Sequence, residues 1–227
     1  MRLSGPEALQ RLREGNFRFR AGLLSLDSLS SHVRRRERIE TQDPIAIILR
    51  CSDSRAPAEM VFDQGLGDLF AIRVAGNIVA PSQIASIEFA AASFGTQLVV
   101  VLGHSGCGAV AATLDCLTDT ASCSPALHAI VDRIRPAVDP LLNQPDMGSR
   151  AGLMAAAIRA NVRASIKHIQ SGSPILQELI ARGQLLVVGA EYSLETGEVR
   201  FLDADDDIAC GPPFATCEPV GVRGQLN

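Results

Sequence analysis

Apolar residues along this chain follow two rhythms. Ile45-Ala46-Ile47-Ile48-Leu49 and Leu98-Val99-Val100-Val101-Leu102 are unbroken apolar runs. Runs this short and uniform predict strands buried on both faces, as in a parallel sheet. Leu69 to Val74 and Leu185-Leu186-Val187-Val188 read the same way. Between these strands, apolar positions recur at helical spacing over 84–94, from Gly108 onward, and over 126–138, 151–169 and 175–181. Residues 118–125 read as a loop, and Val199 to Leu202, after Gly197, as an edge strand closing a hairpin. Strands alternating with helices predict an α/β fold: a mainly parallel central β-sheet flanked by helices.

The first 43 residues differ. Ser4, Pro6 and Glu7 stand where a cap, a first-turn proline and a capping-box acid belong. Leu9, Leu12, Phe17, Phe19 and Leu23 make an apolar face too exposed to stand alone. Residues 1–43 are therefore expected to be a helical arm packing on another element or on a partner subunit. Within the arm, 24–43 is polar, and Arg34-Arg35-Arg36 reads as a solvated helix face. Residues 44–203 form the α/β core. Residues 204–227, acidic and then rich in Gly and Pro, form a tail. No repeat divides the chain, so a single domain is expected.

At 227 residues and 47% apolar, the chain can bury a substantial core, which excludes disorder and a disulfide-stapled miniprotein. Its net charge of −4 lacks the basic surplus of a nucleic-acid binder. Aromatics are 4% with no Trp, so base-stacking platforms and large aromatic pockets are disfavoured and a small substrate fits better. No apolar run is long enough to span a membrane, and the charged N-terminus lacks a signal peptide's apolar stretch. The expected setting is a reducing cytoplasm, where well-placed cysteines bind metal or react rather than pair. There is no C-x-x-C. Cys116, Cys123, Cys210 and Cys217 read as small core residues, and His32, His128 and His168 as ordinary surface or core histidines.

Cys51 and Cys107 keep different company. Cys51-Ser52-Asp53-Ser54-Arg55 follows the first predicted strand directly, and His104-Ser105-Gly106-Cys107-Gly108 follows the strand at 98–102. In open parallel sheets, ligands sit just outside the carboxyl ends of strands, so the two motifs are placed to meet. Two thiolates and one imidazole suit Zn²⁺, and three protein ligands with one open position is the catalytic pattern. Arg55 can clamp Asp53 bidentately and keep it ionised. Asp53 can then orient a metal-bound hydroxide, or swing onto the metal and switch the site off. Gly106 and Gly108 let the backbone turn tightly. A different reading makes Cys51 a covalent nucleophile with His104 as base, which leaves Cys107 unexplained.

These motifs resemble the paired signature of the β-class carbonic anhydrases. The similarity continues through F-D-Q-G-L-G-D-L-F at 62–70, I-R-V-A-G-N at 72–77, I-E-F-A at 87–90 and G-A-E-Y at 189–192. It reaches back to A-L-Q-R-L at 8–12 and G-N-F at 15–17, covering 6–202. The resemblance implies reversible hydration of CO₂ to bicarbonate and a proton. It implies Cys51, His104 and Cys107 as ligands of one Zn²⁺ per chain, and Asp53 and Arg55 as a catalytic dyad orienting the attacking zinc-bound hydroxide. Gln42 would donate to bicarbonate from across a dimer interface. Phe70, Ala75 and Phe89 would line an apolar CO₂ pocket, with Gly108 also at the substrate.

Family members assemble as homodimers, tetramers or larger sets of dimers, with the N-terminal helix embracing the neighbour. The implied partners are thus a second copy and CO₂ or bicarbonate, with no nucleic acid and no membrane. The implied location is cytoplasmic, free or inside a bacterial microcompartment. Arg50 departs from the family by replacing a small residue, and the tail has no family counterpart. Two other readings use the same site: hydrolysis of CS₂ or COS, and a non-catalytic zinc homologue that binds bicarbonate. An intact Asp53-Arg55 pair and Gln42 argue against the second.

Overall fold

The strongest apolar run becomes the middle of the sheet. In a computed structural model, which describes residues 2–24, 32–118, 123–142 and 149–202, the elements follow the alternation of the sequence. They begin with α1 (Gly5–Arg20), α2 (His32–Glu37), β1 (Ala46–Arg50), α3 (Ala58–Val61) and β2 (Leu69–Arg73). A 3-10 turn (Ala75–Asn77), α4 (Pro81–Phe94), β3 (Leu98–His104) and α5 (Gly108–Leu117) follow. The chain continues through α6 (Pro125–Leu142), α7 (Arg150–Ser171), α8 (Pro174–Ala181), β4 (Leu186–Tyr192) and β5 (Val199–Leu202).

The strand order is β2-β1-β3-β4-β5. The first four are parallel, and β5 runs antiparallel to β4. β1 and β3 are buried at every position because both faces of the sheet are covered. Ile48, Val100 and Leu102 face Ala8 and Leu12 of α1 and Phe62. Ile47, Leu49, Val99 and Val101 face Ile87 of α4, Val162 and Ile169 of α7, and Leu176 of α8. The chain leaves β1 toward β2, but leaves β3 toward β4 on the other side. Such a switch opens a crevice between strand ends, and the register levels Arg50 with Leu102 there.

α1 starts on the expected capping box, with Ser4 and Glu7 bonded reciprocally. Its apolar side is partly covered by its own chain: Ala8 and Leu12 are buried against the sheet. A β-carbon on Gly15 would come within 1.8 Å of the Phe62 carbonyl oxygen, so only glycine permits this approach. Asn16 donates to the carbonyls of Val61 and Gly197 and accepts from the Val199 amide. Phe17 and Leu23 stay exposed.

Several expectations need correction. β4 extends to Tyr192, beyond the apolar run ending at Val188. Gly189 interrupts the run because a β-carbon there would stand 2.8 Å from Val162 and Ile166 of α7. α6 runs on past the expected end at Val138, through Pro140, to Leu142. α2 falls on the expected helix of the basic run, whereas α3 arises where no helix was assigned. Cys116 and Cys123 are not core residues; they form a disulfide, Cα to Cα 5.9 Å. Cys116 in the last turn of α5 and Cys123 just before α6 are themselves members of none of the three core clusters. Cys210, Cys217 and the 204–227 tail lie outside the described residues, as do the side chains of His32 and Arg34.

Candidate active site and metal centre

The carboxyl ends of β1 and β3 deliver Cys51, His104 and Cys107 to one point. One ligand atom from each lies within 4.8 Å of the others, and all three residues are buried. The two sulfurs are 3.9 Å apart. His104 Nδ1 lies 2.9 Å from the Ser105 carbonyl oxygen, which fixes the ring. Its Nε2 is buried without a hydrogen-bond partner among the described residues. An orphaned imidazole nitrogen is costly in a dry site unless something else takes its lone pair. Together with two sulfurs this donor set fits a borderline-soft divalent metal. Gly106 adopts φ +65°, carrying the backbone from His104 to Cys107, which precedes the first turn of α5.

Asp53 sits at the mouth, its Oδ2 4.0 Å from His104 Nε2. Arg55 grips it three ways: Nε to Oδ1 at 3.0 Å, Nη2 to Oδ2 at 2.8 Å, and the backbone amide to Oδ1 at 2.9 Å. This hydrogen bonding from Arg55 outweighs burial and holds the Asp53 carboxyl well below the usual carboxylate range. The hydrogen bond from Cys107 lowers Cys51 to about 3, and the same pairing pushes Cys107 up. Burial pulls His104 down, but the neighbouring Cys51 thiolate overcomes it, so the net shift is upward.

Arg50 points under the motif and is buried. Its Nη1 donates to the carbonyls of Cys51 at 3.0 Å and Asp53 at 3.3 Å. Burial, then Arg73 beside it, lowers its pKa. Arg73, its register partner on β2, donates to the Ser52 carbonyl. Two guanidinium groups thus pin the loop that carries Cys51 and Asp53.

The substrate-side residues divide. Ala75 is in the turn next to Gly76, whose amide donates to Cys51 Sγ at 3.3 Å. Gly108 is exposed at the start of α5, one residue after Cys107. Phe70 and Phe89 are not at this chain's own centre. Phe70 pairs with Ile47, four residues before Cys51, or about 13 Å back along the strand. It forms an aromatic cluster with Phe89 and Phe94 at centroid distances of 5.4 to 6.3 Å. Gln42 lies before the amino end of β1, at the far end of that strand from Cys51. Sequence reasoning missed Gly76, Asn161 and Ser165. Asn161 Nδ2 donates to the Gly76 carbonyl and Ser165 Oγ to that of Asn77. Their signal was two polar residues one turn apart on the buried face of α7.

A family model described as carbonic anhydrase matches residues 46–199. The chain belongs to the β-class carbonic anhydrases. Carbonic anhydrase 2 of Mycobacterium tuberculosis is 37% identical over 197 residues, spanning 86% of this chain and 92% of that one. A carbonic anhydrase of Mycolicibacterium smegmatis is 36% identical over 201 residues, spanning 88% and 95%. Among solved structures, the β-carbonic anhydrase CcaA is 30% identical with TM-score 0.70, covering 86% of this chain and 87% of its own. A tetrameric β-carbonic anhydrase of Sordaria macrospora is 28% identical with TM-score 0.62, covering 72% and 82%. Reversible hydration of CO₂ is the general reaction of β-carbonic anhydrases, and this one is an enzyme of that class. Among the described residues, no helix is long and apolar enough to cross a membrane.

Proposed function

We propose that this chain hydrates CO₂ at a site holding one Zn²⁺ per chain on Cys51, His104 and Cys107. Bound there, the ion would act as a Lewis acid that lowers the pKa of a water ligand toward neutrality. The observation that carries this reading is the triply bonded Asp53-Arg55 pair beside an orphaned His104 Nε2. Asp53, permanently ionised, is only an acceptor. It takes a hydrogen bond from the attacking water-derived oxygen and so fixes the direction of attack. Arg55 keeps Asp53 charged and prevents it from rotating. Arg50 and Arg73 hold the loop beneath.

A second copy of the chain completes the substrate pocket. Phe89, whose ring meets Phe70 of edge strand β2, is 54% exposed, and Ile39 is 75% exposed. Apolar surface of that kind on a sheet edge calls for a cover. Docking there would bring the aromatic cluster and Gln42 of the partner subunit to this site, with Gln42 donating to the bicarbonate oxygens. The tetrameric relative supports assembly beyond a monomer.

The test is stopped-flow CO₂ hydration on protein of measured metal content, between pH 6.5 and 9. Fast turnover at one zinc per chain is the expected result. No turnover at full zinc loading overturns the reading. CS₂ assayed alongside separates the sulfur-hydrolase alternative.

A further inference from the structure

The turn between β2 and α4 is an improbable piece of backbone. Gly76 has φ +69° and Asn77 has φ +43°, two successive residues in the left-handed region. Glycine enters that region freely, whereas asparagine does so at a cost. Such a conformation persists only where its surroundings over-determine it. Space does part of this. A β-carbon on Gly76 would come within 2.8 Å of Ile134 and 3.1 Å of Ala109.

α7 does the rest. Asn161 and Ser165 are four residues apart, one turn of helix, and face the turn together. Both are almost fully buried. Asn161 Nδ2 donates to the Gly76 carbonyl at 2.7 Å, and Ser165 Oγ to the Asn77 carbonyl at 3.0 Å. The outcome of this bracing is an amide aimed at sulfur: Gly76 N donates to Cys51 Sγ at 3.3 Å.

We propose that Asn161 and Ser165 are positioning residues of the metal site, acting through Gly76 on Cys51. They lock the turn so that the Gly76 amide stays on the thiolate. That bond fixes the direction in which the sulfur presents its remaining lone pairs, so a turn that slackens turns them away from a metal. Groups behind a ligand commonly set metal affinity in this way. The inference rests on the reading of Cys51 as a ligand and extends it to residues on a helix that supplies none.

The experiment measures zinc affinity by competition with a chromophoric chelator for the wild type, Asn161→Ala, Ser165→Ala and Cys51→Ser. The same proteins loaded with Co²⁺ report the sulfur-to-metal charge-transfer band, and thermal unfolding of the metal-free proteins reports bare structure. Ser165→Ala is the gentler variant and keeps the test open if Asn161→Ala does not fold. Expected is a loss of zinc affinity of roughly 10- to 100-fold for Asn161→Ala, and less for Ser165→Ala, with a shifted band in both. Wild-type affinity and band in these variants, with only metal-free stability lowered, would overturn the clamp while Cys51→Ser still abolishes binding. Unchanged affinity in Cys51→Ser as well would overturn the site reading and the clamp with it.

Discussion

Asp53 receives three hydrogen bonds from Arg55, two residues on. The carboxylate is therefore ionised across the whole working range, and its hold on Arg55 is lost only as pH falls through a strongly depressed pKa. Asp53→Asn keeps the shape but replaces one acceptor oxygen by a donor. It should retain bound zinc and lose roughly 10²-fold or more of CO₂ hydration. Metal analysis beside stopped-flow rates checks both halves. Glu191 behaves in the opposite sense. It is buried on β4, and burial raises its pKa against the pull of Arg159 and Arg200. An acid with a raised folded pKa destabilises the fold above that pKa and ceases to do so below its unfolded value, near 4.3. Glu191→Gln should therefore raise the melting temperature at pH 8, and the gain should shrink toward pH 5. A gain that grows on acidification would contradict the assignment.

At the scale of elements, the helices after β3 carry the less obvious work. α5 begins just after Cys107 of the candidate metal cluster, and its last turn holds Cys116, bonded to Cys123 ahead of α6. The bond closes a short loop with a sequence separation of 7. By loop-closure entropy such a link stabilises the fold by about 2.5 kcal/mol. Reduction, or Cys116→Ser with Cys123→Ser, should lower the free energy of unfolding by that amount, read from denaturant titration. CO₂ hydration should change little, because the two ends of α5 lie about 15 Å apart. Cysteine spacing could not disclose this pairing, since spacing says nothing about which helix ends face each other. The polar pair Asn161 and Ser165 was visible in the apolar face of α7, but its target lay some 85 residues away.

For the molecule as a whole, patterning disclosed the sheet because β1 and β3 are buried on both faces and so are written as apolar runs. The meeting of Cys51, His104 and Cys107 was equally legible, since each of their motifs follows a strand directly. Phe70 and Phe89 were harder, because one chain's sequence does not distinguish a pocket of its own from one shared with a second copy. Phe89→Asp tests the sharing. A charge placed on that exposed face should split the assembly in sedimentation and depress activity at low protein concentration. An unchanged sedimentation coefficient would place the contact elsewhere.

Gln42 and Cys51 stand at opposite ends of the same short strand. If each pocket borrows its glutamine from the neighbour, neither residue's loss is private to the chain that suffers it. A Gln42→Ala chain and a Cys51→Ser chain, each poor alone, would complement each other when co-expressed. In a mixed dimer one pocket has both defects and the other has none. Random pairing of equal amounts should restore about a quarter of wild-type activity, a genetic signature of a site divided between two polypeptides.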